Sequence, residues 1–231
     1  MRSTFGVFVL AMVASPLLAQ QPPVMQKLTE LNAAAPQASM SDLQAAAAIN
    51  AKAYSAAKKT CAPASLTVSE VTPVTGAGVI LQAVLSGKIR NAWTLYANHV
   101  GCPGDDTIRY LVLQLADGSL KAARVNQGRT LANPTIMRDT SSMAALAALR
   151  QAKLLDSNCK GDDMAMGPTR VVGKSKDLGP EQFGVRYVGG WSEVWQFRTC
   201  GKKFDVPIDF NADGDGGAYT NVKASAVTLA P

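Results

Sequence analysis

Glu193 stands between two tryptophans in the stretch Trp191-Ser192-Glu193-Val194-Trp195. A carboxylate among aromatic rings is poorly solvated, which favours its protonated form. Beside rings that can stack on a sugar, it could act as a general acid. Glycoside hydrolysis needs a second carboxylate at a set distance, and no spacing in the sequence marks one. A salt bridge to Arg or Lys is the plainer role. His99 is the one histidine, so it alone could be the imidazole base for a Ser nucleophile. No Gly-x-Ser-x-Gly elbow accompanies it, and its setting in an apolar segment reads as sheet packing. The run Asp209-Phe210-Asn211-Ala212-Asp213-Gly214-Asp215 matches the first half of a calcium loop. Gly216 and Thr220 then fall where an apolar residue and a bidentate Glu belong. A hairpin turn explains that run, and no metal or cofactor site is expected. Gly167 to Ser175 resembles a phosphate loop but places five residues between its glycines, where four are needed.

The cysteines carry a stronger signal. Cys61 and Cys102 are 41 positions apart, and so are Cys159 and Cys200. An even count in an exported chain favours disulfides. One offset of 98 maps the first pair onto the second and Trp93 onto Trp191. Ala-rich stretches precede the first cysteine of each pair, at Ser41 to Lys59 and Ser141 to Leu155, with Ser41 and Ser141 as expected N-caps. Ala116-Asp117-Gly118 and Ala212-Asp213-Gly214 end the apolar runs that follow the second cysteines. The reading is an internal duplication with pairs Cys61–Cys102 and Cys159–Cys200.

These features divide the 231 residues. Residues 1–19 have a positive start at Arg2, an apolar run from Phe5 to Ala14 and a small residue at Ala19, the pattern of a cleaved secretory signal. Residues 20–38 read as a flexible leader with one helical turn near Met25 to Leu31, residues 39–133 as unit 1 and 134–231 as unit 2. The expected class is α+β: two tandem repeats, each a helix packed on an antiparallel sheet. Expected strands include Ser65–Val74, Val79–Leu85, Arg90–Gly101, Thr107–Leu115 and Lys121–Asn126 in unit 1. Unit 2 has Thr169–Val172, Phe183–Tyr187, Ser192–Thr199, Phe204–Phe210 and Ala218–Leu229. By element order alone, each unit resembles cystatin-type folds.

Alternation along the strand before Cys200 sharpens the site question. Trp191, Glu193, Trp195 and Phe197 share one face, and Ser192, Val194, Gln196, Arg198 and Cys200 the other. If Cys200 is tied to the helix end, the cysteine face is the helix side. The Trp face, with Trp93 as its unit 1 counterpart, then needs other cover: the sister unit, a ligand or a partner. A bulge would instead return the tryptophans to an ordinary core. Leu111, Leu113 and Leu115 on one face and Ile108, Tyr110 and Val112 on the other suit a strand buried on both sides.

With 47% apolar residues the chain can build a core, and a formal charge of +6, falling to +5 without Arg2, is scattered in short clusters. That excludes a recognised nucleic-acid motif, and no stretch after the leader is long enough to span a membrane. The basic surface still suits acidic partners. The expected function is an exported periplasmic or extracellular binding or interaction protein without catalysis, its partner a protein or an envelope polymer. It could be an inhibitor or an accessory component of an envelope assembly. The competing class is a small exported hydrolase acting on glycans or other envelope polymers through Glu193 or His99.

Overall fold

The computed structural model describes residues 23–35, 37–102 and 107–231. The expected signal at 1–19 lies outside them. Among the described residues, four helices and nine strands form a mixed α+β fold around one mostly antiparallel sheet. The order in the chain is α1 (Pro23–Ala34), α2 (Met40–Lys58), β1 (Ser65–Pro73), α3 (Gly78–Leu85), β2 (Ile89–Val100), β3 (Thr107–Leu115) and β4 (Leu120–Gly128). Then follow α4 (Pro134–Leu155), β5 (Ala165–Lys174), β6 (Gly190–Thr199), β7 (Lys202–Ala212), β8 (Ala218–Val222) and the short β9 (Thr228–Leu229).

The two long helices, α2 and α4, form where alanine-rich sequence meets a good cap. Ser39, not Ser41, caps α2 by accepting from the Asp42 N–H. Asn133, not Ser141, caps α4 by accepting from the Thr135 and Ile136 N–H groups, with Pro134 in the first turn, where it needs no partner. Leu43, Ala46, Ala47 and Ala51 form the buried stripe of α2, and small residues let the helix lie close to the strands.

Other element expectations change as well. The expected strand Ala218–Leu229 is broken into β8, a 3-10 turn at Ala224–Ala226 and β9. The leader contains the three-turn helix α1, whose Met25 and Leu28 are buried. Gly78–Leu85 is α3 rather than a strand: its apolar run buries Ile80 and Val84 one turn apart and leaves Val79 and Leu85 exposed. Phe183–Tyr187 contains a tight turn with positive φ at Phe183 and Gly184, closed by a bridge between Gln182 and Val185.

The strands lie side by side in the order β1 to β8, and β9 adds to β7. All pairings are antiparallel except one. β4 and β5 run parallel and meet only at Gln127–Pro168 and Gly128–Thr169. The expected two sheets are therefore one, with a narrow seam. A register relation runs across it. Trp93 pairs with Val112 and Trp191 with Phe210; Leu95 pairs with Tyr110 and Glu193 with Ile208. Each partner of the second pair lies 98 residues after its counterpart in the first.

The parallel seam also decides where the helices go. Keeping the lateral strand order while reversing strand direction requires a half-turn about an in-plane axis, and that turn exchanges the two faces. α2 covers one face of the first half, packing on Trp93, Leu95, Ala97, Ile108, Tyr110 and Val112. α4 covers the opposite face of the second half, packing on Trp191, Trp195, Phe197, Phe204, Val206 and Ile208. On α4's side of the sheet, the first half is covered by α1, α3 and Val185 and Tyr187 of the β5–β6 loop, which pack with Leu111, Leu113 and Leu115. β3 is thus packed on both sides, with Ile108, Tyr110 and Val112 buried on one and Leu111, Leu113 and Leu115 half-buried on the other.

Two disulfides staple the fold, Cys61–Cys102 and Cys159–Cys200. The Ser55 hydroxyl donates to the Cys61 carbonyl at 2.9 Å, tying the end of α2 to the first bridge. No helix among the described residues is long and apolar enough to cross a membrane.

Candidate functional site

Glu193 is fully buried, and its carboxylate is saturated. Oε1 accepts from the Leu131 N–H at 2.7 Å, the Ala132 N–H at 3.2 Å and Trp191 Nε1 at 2.9 Å. Oε2 accepts from the Thr130 hydroxyl at 2.7 Å and Trp195 Nε1 at 2.7 Å. The two tryptophans flank the carboxylate because residues two apart share a strand face. The other donors come from the connection between β4 and α4. From the first half, Arg109 Nη1 donates to the Ala132 carbonyl at 2.7 Å, and the Tyr96 hydroxyl donates to the Thr130 carbonyl at 3.0 Å. Residues 130–132 are thus held from both halves of the sheet. A buried charge needs such a set of donors to offset its lost hydration. With its acceptor positions filled and no path to solvent, this carboxylate is built to hold the chain connection rather than to give a proton to a substrate.

The other residues of the expected aromatic face are also buried. Trp191, Trp195 and Phe197 pack under α4, and Trp93 packs under α2. Trp191 stacks on Phe210 with ring centroids 5.1 Å apart. The inference that the cysteine face is the helix side is corrected. β6 ends at Thr199, and Cys200 takes a left-handed conformation with φ 50°, so alternation stops one residue before the cysteine. The chain turns there, and the disulfide reaches the helix side without a bulge. The backbone N–H of Cys200 donates to the Asp163 carboxylate at 2.7 Å, fixing that turn.

The remaining candidates resolve as structure. His99 Nε2 lies 2.7 Å from the buried Tyr110 hydroxyl, consistent with sheet packing. In the calcium-like run, Asp209 pairs with Lys223 at 2.7 Å, and Asp213 accepts from the Asp215 and Gly217 N–H groups within the β7–β8 turn. Among the described residues, no three His, Cys, Asp or Glu side chains are grouped to hold a metal ion. The phosphate-loop lookalike lies mostly within strand β5.

What the sequence reading missed is a surface. Among the described residues, the face of the second half opposite α4 carries no helix. It presents Arg170 from β5, Ser192, Gln196 and Arg198 from β6, Lys203, Asp205, Pro207, Asp209 and Asn211 from β7, and Tyr219 and Asn221 from β8. Tyr219 is 72% exposed. Arg170 pairs with Asp205 at 2.7 Å, and Ser192 donates to Asp209 at 2.7 Å. The sequence signal was there in the polar alternate positions of β7. It had no meaning until the seam put the two helices on opposite faces.

Comparison of the chain with protein-family models, with curated proteins and with solved structures finds no match.

Proposed function

We propose that the chain is an exported, disulfide-stapled binding protein made of two copies of one helix-and-sheet unit, and that it acts through the uncovered face of its second half. The observation that carries this reading is an asymmetry. Among the described residues, corresponding strands are covered on both faces in the first half and on one face in the second. The 98-residue register relation supports a common origin for the units. The two disulfides suit an oxidising compartment, and the pattern of residues 1–19 supports export. Tyr219, Arg170 and the Asn side chains beside them are residue types that serve contact surfaces well. The hydrolase reading loses its acid, because Glu193 is enclosed and fully engaged.

The test is a pull-down from envelope extract with wild type and a Tyr219→Ala/Asn221→Ala variant, both checked for an unchanged melting curve. Loss of a partner that wild type recovers supports the reading. Equal recovery of every partner, or turnover of a defined glycan by wild type, overturns it.

A further inference from the structure

Arg198 and Lys203 face each other directly across β6 and β7 on the uncovered face. Both are exposed. Like charges opposite each other in an antiparallel pair are destabilising. Elsewhere on this face the cations are neutralised: Arg170 by Asp205 and Lys223 by Asp209. Among the described residues, no carboxylate forms an ion pair with Arg198 or Lys203. The face therefore holds two internally balanced pairs and one uncompensated cationic pair at the end of the β6–β7 hairpin.

Resting on the binding reading above, we infer that this face receives an acidic polypeptide segment, one of whose carboxylates sits between Arg198 and Lys203. Charge complementarity selects the anion: a carboxylate placed there meets two cations, and Arg offers it a two-pronged donor. The rest of the face selects a polypeptide over an anionic glycan or a lipid headgroup layer. Pro207 and the exposed ring of Tyr219 lie among the charges and offer apolar contact to side chains. Asp205 and Asp209 hold Arg170 and Lys223 in mid-face, so the unpaired positive charge is confined to Arg198 and Lys203, a patch that fits single carboxylates of a polypeptide better than a layer of phosphates. Cross-strand neighbours that repel in the free protein become a matched pair of donors in the complex.

The experiment measures binding of the full chain to a Glu/Tyr copolymer, to hyaluronate and to vesicles containing phosphatidylglycerol, together with thermal melts. Lys203→Glu turns the repulsive pair into an attractive one. It is expected to raise Tm by a few degrees while weakening copolymer binding at least tenfold. Arg198→Glu/Lys203→Glu keeps a like-charge pair, so its Tm stays near wild type while binding is lost. The control Lys52→Glu/Lys153→Glu makes the same change in net charge on exposed helix positions and is expected to retain binding. Equal loss in that control, or tighter binding to hyaluronate or vesicles than to the copolymer, overturns the inference. If Tyr219→Ala/Asn221→Ala loses a pulled-down partner that Arg198→Glu/Lys203→Glu keeps, the acidic-segment inference fails while the binding reading stands. If neither variant loses a partner, both fail.

Discussion

Thr130 and Glu193 are 63 residues apart in the chain, and the hydroxyl of one donates to the carboxylate of the other at 2.7 Å. That bond joins the connection leaving the first half to the middle strand pair of the second. Its counterpart position is instructive. Leu95, 98 residues before Glu193 and equally placed in the strand register, packs as an ordinary apolar residue under α2. A carboxylate appears only where a chain connection crosses the sheet and needs an anchor.

Substituting Glu193 should therefore cost far more than losing a surface acid. Glu193→Gln keeps the shape but aims an amide N–H₂ at donors, and Glu193→Leu leaves two indole N–H groups and two backbone N–H groups buried without acceptors. We expect a loss of about 3 kcal/mol for Gln and more for Leu. Urea denaturation followed by Trp fluorescence reads both. A loss below about 1 kcal/mol for Leu would mean that the clasp is not structural.

Gly128 tests the seam. Its φ is 79°, and a Cβ there would lie 2.2 Å from the Thr169 carbonyl oxygen. Asn126 Nδ2 donates to the Thr169 hydroxyl at 2.9 Å beside it, so neither strand can move away without breaking a buried bond. Gly128→Ala should destabilise by about 3 kcal/mol or more, by strain plus lost pairing. Gly118, at φ 90° with nothing within 4 Å, isolates the backbone part: Gly118→Ala should cost about 1 kcal/mol. The difference between the two melts measures the close approach itself.

Each disulfide closes a separation of 41 residues. In the chain-entropy picture each stabilises by about 4 kcal/mol, a large share of a typical domain's total. Cys61→Ser/Cys102→Ser and Cys159→Ser/Cys200→Ser should each lower Tm substantially, and reduction of wild type should lower it further than either. Peptide mapping without reductant should recover only the two pairings within each half.

Tyr110 gives the alkaline limb. Burial pushes its phenol up to about 12, with nearby Arg124 pulling the other way. A phenol that ionises near 10 when unfolded and near 12 when folded contributes stability below pH 10 that is lost as pH rises through 12. Tyr110→Phe should flatten the loss of Tm between pH 9.5 and 11.5 on the order of what such a shift implies. An unchanged slope would place the alkaline transition elsewhere.

Much of the fold was legible because it is written in local spacing. Both disulfide pairings follow from equal separations, and the two-sided packing of β3 follows from apolar residues at odd and even positions. The rest depends on contacts between distant segments. α3 looks like a strand because Gly-Val-Ile-Leu carries no polar alternation, and only a sheet face in need of cover makes it a helix. Alternation alone leaves the side of Trp191 and Trp195 open between core, interface and ligand; the structure puts them in the core, through a left-handed turn at Cys200 rather than a bulge. Glu193 stands out between its tryptophans, but in place of the expected salt bridge to Arg or Lys it takes hydroxyl, indole and backbone donors. Its donors were not visible, since three belong to residues 130–132, and nothing in their sequence announces that they meet a strand 60 residues later. The uncovered face was missed because its existence depends on strand direction at the seam.

The half-turn at β4 and β5 bears on polymerisation. A step that sets one helix above a sheet and the next below can in principle be repeated, giving a ribbon of indefinite length. Among the described residues, both margins of the sheet are broken. At one margin β1 carries a register break between Val68 and Glu70 and finishes on Pro73, which has no N–H to offer an incoming strand. At the other, the last edge is broken into β8 and the two-residue β9 by a short 3-10 turn at Ala224–Ala226. Among the described residues, neither margin presents a long, straight row of free donors and acceptors, which removes a template for edge-to-edge fibre growth.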